Sequence, residues 1–402
     1  MSAITTTVPT MKSAVQAQPA LAASGVRDPR LDFYRGLAMF IILIAHTPGN
    51  FLTLWIPARF GFSDATEIFV FCSGMASAIA FGKVFAERSW WLGTARVSFR
   101  VWQVYWAHIG LFFTIAMLMA ALNATGLFEK NYIASLNLQH FFKNPEQQLI
   151  GLMTLTYVPN YFDILPMYLV ILAMMPFMAA MAQVNVWLMV SASLAIWLGA
   201  QLEYLSLPAE PWSDREWFFN PFGWQLVFFT GFALMRGWIP APPRDKRLMW
   251  LCVAIVLLSV PLAYFRALNA FPELKPLRAE ISFFIEKSDF GLFRYIHFLA
   301  LAYLGWFVAG EKGRNLVAQG TGLAARVWQQ ALTLILKVGQ QSLAVFVVSM
   351  VIARLIGVGF DTFGRDIWIV WTGNLIGFAI LIAVAYIAGW FKSHPWRKQR
   401  GK

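Results

Sequence analysis

The sequence predicts an all-α fold, a polytopic transmembrane helical bundle of about ten spans with both termini cytoplasmic. Three observations carry that expectation. Of 402 residues, 59% are hydrophobic and only 13% charged, and the mean hydropathy is +0.59, outside the range of ordinary soluble domains. Apolar runs of the roughly 20 residues that a helix needs to cross a bilayer recur at 36–56, 65–83, 101–122, 163–183, 186–204, 222–239, 248–267, 291–310, 338–356 and 367–391. An even number of spans places both termini on one side, and about 21 of the 32 basic residues fall there, which the positive-inside rule assigns to the cytoplasm. The net charge of +12 is therefore a matter of topology, and the partner it implies is a lipid bilayer and not nucleic acid.

Residues 1–26, rich in Ala, Ser, Thr and Gln without an apolar core, read as a disordered cytoplasmic tail and not a signal peptide. A single transmembrane domain follows over 27–392, and a basic cytoplasmic tail closes the chain at 393–402. The first span, within FYRGLAMFIILIAHTPGN, contains Arg35 and His46. Eleven helical steps return to within about 20° of the starting face and climb about 16 Å, so one face carries a cation near its start and an imidazole deep inside. An isolated Arg at a helix start also fits a side chain that snorkels to headgroups. His46 is followed by Pro48-Gly49-Asn50, which should loosen the helix and make room for a substrate.

The second span opens with Asp64 and Glu67, a spacing that fits a capping box and equally a carboxylate that orients His46. Arg96 and Arg100, one turn apart before the third span, form a fork for anionic groups. A cation at a membrane edge and a buried base one long cofactor arm away suit acyl transfer from coenzyme A, and with Arg35 these two are the candidates for gripping its phosphates while the pantetheine arm leads toward His46. His108, further along the same span, is a candidate pore-lining partner or a core residue. Gln147 to Val158 reads as an added short re-entrant or interfacial segment, and Asp163 begins the fourth span as a third candidate acid. The outer loops 123–162, 205–221 and 268–290 hold aromatic residues amid Asn, Asp and Glu, including Trp217 and Asn220. That mixture suits stacking on sugar rings and hydrogen bonding to hydroxyls, and an interfacial aromatic belt accounts for it as well. In the eighth span Arg294 and His297 are further titratable groups, candidates with His108 for an anionic substrate end.

The two cysteines, Cys72 and Cys252, lie outside aqueous loops and offer neither a disulfide framework nor a metal site. No phosphate-binding Walker loop, nucleophile elbow or zinc-protease pair is present where it would count.

Segment 30–74, RLDFYRGLAMFIILIAHTPGNFLTLWIPARFGFSDATEIFVFCSG, resembles the signature of the OpgC family, membrane succinyltransferases of osmoregulated periplasmic glucans. That family is related to the acyltransferase-3 membrane enzymes, whose first-span motif is a basic residue, ten intervening residues and a histidine. Arg35 and His46 match that spacing. The run Lys337 to Phe346 is similar to a late span of the same group, whereas the arginine pair at the third span has one residue more between its members than the group's usual pattern. The resemblance implies a bacterial inner-membrane enzyme with succinyl-CoA as cytoplasmic donor, no tightly bound cofactor, and a glucan glucose hydroxyl as acceptor. Two rivals use the same residues: a transporter or flippase for a glycan or acyl substrate, and an acetyltransferase of another glycan.

Overall fold

A computed structural model describes residues 28–396, so the predicted tail 1–26 and most of the tail 393–402 lie outside the described residues. The regular elements are helical, apart from one isolated bridge between Pro208 and Glu216. The long helices are α1 (Pro29–His46), α2 (Ala65–Glu87), α3 (Trp90–Ala124), α4 (Ile164–Val184), α5 (Val186–Gln201), α6 (Pro221–Arg236), α7 (Lys246–Ala263), α8 (Leu292–Ala309), α9 (Leu323–Gln340), α10 (Ser342–Phe363) and α11 (Ile367–Lys392). Among the described residues seven of them, α2, α3, α4, α7, α8, α10 and α11, are long and apolar enough to cross a membrane. Helices α1, α5 and α6 are shorter or more charged and run alongside them.

Element boundaries depart from the hydropathy pattern where charge and packing override it. The first helix does not run over 36–56. It begins at Pro29, capped by the Asp28 side chain, and stops at His46 with Thr47 extended. Two short 3₁₀ turns, Phe51–Trp55 and Pro57–Arg59, follow. Helix α3 starts eleven residues before the apolar run, because Ser89 caps it, and so Arg96 and Arg100 lie within the helix. The late span breaks at Gln341 into α9 and α10. Gln147–Val158 lies mostly in a short helix, Pro145–Thr154.

Close backbone approach sets the helix directions. A Cβ at Gly74 would lie 2.0 Å from the Phe228 carbonyl oxygen, and one at Gly231 would lie 2.4 Å from that of Phe71. Small residues let helices meet in this way inside membranes. Gly82 packs on Arg236 in turn, so α2 and α6 run parallel. Glu67 meets Arg294 and Phe71 meets Phe298, which makes α8 parallel to α2, and Gln183 donates to the Phe85 carbonyl near the far ends of α4 and α2. Helices α2, α4, α6 and α8 therefore all begin at the end of the bundle where α1 finishes.

Helix α10 runs parallel to α1 and in register with it. Arg35 meets Ser342 at one end, and Gly357 packs on Pro48 at the other. Helix α9 instead crosses the start of α1, with Gly339 against the Asp32 carbonyl and Gly36 against that of Ile335. Its apolar face joins Phe33, Ala309 and Leu316 in a small core.

Candidate functional site

The His46 end is built where α1 stops and four helices start. His46 is partly buried, and neither ring nitrogen has a hydrogen-bond partner among the described residues. Its imidazole meets the Tyr161 ring edge-on, with centroids 5.2 Å apart and planes at 89°. Tyr161 has φ 87°, a left-handed conformation that costs a non-glycine residue about 1–3 kcal/mol and persists only where surroundings enforce it. Its hydroxyl donates to the Met350 carbonyl oxygen at 2.7 Å. The Arg354 guanidinium carbon lies 3.8 Å from the centre of the same ring, a cation–π contact. The charged groups whose fields reach His46 are Arg354, Lys287 and Asp64.

The carboxylates expected to orient His46 are committed elsewhere. Asp64 caps α2, accepting from the Thr66 N–H at 2.7 Å and from Lys287 Nζ at 2.6 Å. Burial alone would raise the Asp64 carboxyl, but Lys287 and Arg294 override it and hold it well below the usual carboxylate range. Glu67, fully buried, completes the capping box by accepting from the Asp64 N–H at 2.7 Å, and its other oxygen takes Arg294 Nη1 at 2.5 Å. Asp163 precedes α4 without capping it. Burial pushes its carboxyl up to about 6, against the pull of Arg215 and the Phe218 N–H. None of the three hydrogen-bonds to His46.

The remaining expectations divide in the same manner. His297 is buried and shares a 2.8 Å hydrogen bond with Ser63 through Nδ1. Arg294 belongs to Glu67. His108 is fully buried with no partner on either nitrogen among the described residues, and no charged group accompanies it, so it stands in the core of α3. Trp217 is buried and donates to the Pro208 carbonyl at 3.1 Å, packing on Val158 and Ala209 and offering no open ring face. Asn220 caps α6 while its amide donates to the Leu205 carbonyl and to Asp289 Oδ1. These two hold their own loops in place.

At the opposite end of α1, Arg35 donates to Ser342 Oγ, and its Nε is buried without a partner. The titratable groups whose fields reach it are Cys72, Tyr168, Asp32 and Arg100. The charge of Arg100 reaches Arg35, while Arg96 is exposed over the Phe81 ring at 5.9 Å. Arg100 also bonds Gln103 at 3.2 Å.

Two residues of the His46 end escape a reading by motif. Arg354 is the sole charge in residues 338–360, and the cost of a charge in an apolar stretch, the criterion that marks Arg35, would have found it. Lys287 has no such signal, because it sits in a polar loop. Beside it a cleft of about 410 Å³ opens, lined by Lys275, Arg278, Ser282 and Glu286 among others. Among the described residues no cluster of His, Cys, Asp and Glu is arranged to hold a metal.

The family model described as OpgC protein matches residues 27–393. No curated protein and no solved structure matches the chain.

Proposed function

Because the chain belongs to the OpgC family, we propose that it is a membrane O-acyltransferase that moves a succinyl group from cytoplasmic succinyl-CoA to a glucose hydroxyl of a periplasmic glucan. In this reading the bundle crosses the bacterial inner membrane ten times with both termini in the cytoplasm. The coenzyme A phosphates dock against Arg35 and Arg100, and the pantetheine arm follows α1 toward His46. The glucan reaches His46 from the other side, by way of the cleft beside Lys287.

The supporting observation is one helix with a cation at one end and an imidazole about 16 Å away at the other, its nitrogens unpartnered among the described residues. An imidazole whose nitrogens hold no protein partner can accept a proton from an incoming hydroxyl. The hydroxyl oxygen then attacks the thioester carbonyl, the new C–O bond forms as the C–S bond breaks, and the imidazolium returns the proton to the departing thiolate. Base catalysis of this kind contributes about 10²–10⁴ in rate. Tyr161, locked by Met350, holds the ring in place of the carboxylates expected to do so. Esterification with succinate would add a negative charge to a neutral sugar.

The test is mass spectrometry of glucan incubated with purified protein and succinyl-CoA. Succinyl mass should appear with wild type and fall at least about a hundredfold with His46→Ala. Transfer that survives in the variant removes His46 as the base. Folded wild type that transfers neither succinyl nor acetyl groups points to transport instead.

A further inference from the structure

Of the two cations whose fields reach His46, Lys287 is paired with a carboxylate and, among the described residues, Arg354 is not. Lys287 holds Asp64 at 2.6 Å, Arg294 holds Glu67 at 2.5 Å, Lys130 and Arg365 share Asp361 at 2.7 Å, and Arg215 holds Glu210 at 2.9 Å. Arg354 forms no ion pair among the described residues, and its Nε is buried without a hydrogen-bond partner. An Arg inside an apolar helix is costly unless it is paired or serves a substrate. Arg354 is also at the level of the chemistry. Twelve residues separate it from Ser342 and eleven separate His46 from Arg35, so the parallel helices α10 and α1 raise both groups to within about 2 Å of the same height.

The geometry points to Arg354 as the subsite for the free carboxylate of a dicarboxylic acyl donor, a specificity-determining residue for the transfer proposed above, on which this assignment rests. The two contacts of the Tyr161 ring put the guanidinium no more than about 9 Å from the imidazole centre. A hydroxyl held by the imidazole places the thioester carbonyl about 3 Å beyond its oxygen, and a succinyl chain carries its carboxylate about 4 Å further. The planar fork of Arg fits a carboxylate with two hydrogen bonds, and one face of it is already fixed by Tyr161. Donor choice then follows from charge. An acyl chain without the carboxylate leaves the fork unpaired in a low-dielectric site, which is how a site built for a polar group rejects an analogue lacking it.

Butyryl-CoA is the probe, since it replaces the succinyl carboxylate with a methyl group at the same chain length. Wild type should use succinyl-CoA at least about a hundredfold better by kcat/KM, and equal use of the two donors overturns the assignment without any variant. In Arg354→Gln the succinyl-to-butyryl ratio of kcat/KM should fall at least about tenfold, with part of the ratio restored in Arg354→Lys. Loss of both donors by the same factor would mean that Arg354 serves the common transition state or the fold, and would overturn the subsite. Wild type silent with every acyl-CoA removes the acyltransferase reading itself, a different result from an unchanged ratio.

Discussion

Glu67→Gln separates two roles that the sequence leaves equivalent. In the structure Glu67 is fully buried, one oxygen 2.5 Å from Arg294 and the other accepting from the Asp64 N–H at 2.7 Å. The amide keeps the shape and one acceptor for the cap, but it leaves the Arg294 guanidinium, 11% exposed, without its counter-charge. Removing one partner of a buried pair costs about 3–5 kcal/mol. The lower end applies here, because Arg294 also lines a cavity of about 100 Å³ with Gly61 and Phe62, through which water can reach it. Denaturant unfolding in detergent should therefore show a loss of about 3 kcal/mol for Glu67→Gln. Arg294→Met should lose a similar amount, and the Glu67→Met/Arg294→Met double variant should recover most of it, since replacing both members by apolar groups is often neutral. Transfer per folded molecule should stay within about tenfold of wild type, as no bond links Glu67 to His46. A Glu67→Gln protein that loses less than about 1 kcal/mol and yet transfers nothing would refute the structural role and return Glu67 to catalysis.

Two further outcomes follow from the packing and the titration of the same end. The Asp163 carboxyl is raised to about 6 by burial, so its contribution to stability is fully present below about pH 4 and is lost as pH rises through 6, at about 1.4 kcal/mol per unit; Asp163→Asn should unfold at higher denaturant than wild type above pH 6 and converge with it near pH 4, and parallel curves would refute the shift. Gly74→Ala places a methyl 2.0 Å from the Phe228 carbonyl oxygen and should cost about 1–3 kcal/mol by forcing α2 from α6, whereas Gly110→Ala, with nothing within 4 Å, should gain up to about 1 kcal/mol; equal effects of the two in a thermal melt would exclude the close approach.

Much of the candidate site is legible in residues 30–74, because a charged or titratable group within an apolar helix stands out against its cost. That criterion finds Arg35 and His46, and applied without exception it also finds Arg354. It cannot separate a carboxylate that caps a helix from one that orients a base, because Asp64 and Glu67 carry the same spacing in both roles. The aromatic loops mislead for a similar reason. Trp217 and Asn220 have the composition of a sugar platform, but the loops must satisfy their own backbone groups, and Trp217 and Asn220 are spent on the Pro208 and Leu205 carbonyls. His108 looks functional by residue type, and only its surroundings show that it has no charged neighbour.

What the sequence determined by itself is the solvent of this protein and the two ends of one helix. Composition dictates the bilayer, and eleven residues on a 3.6-residue period put Arg35 and His46 on one face whatever surrounds them. Which groups meet those ends was decided only by the tertiary structure. The parallel register of α1 with α10 sets Ser342 beside Arg35 and brings Arg354 level with His46 across more than 300 residues of chain. The ion pairs with Lys287 and Arg294 withdraw Asp64 and Glu67 from the imidazole. Those partnerships depend on close contact between distant segments, where glycines let backbones approach and a charge takes the counter-charge within reach, and no local pattern records them.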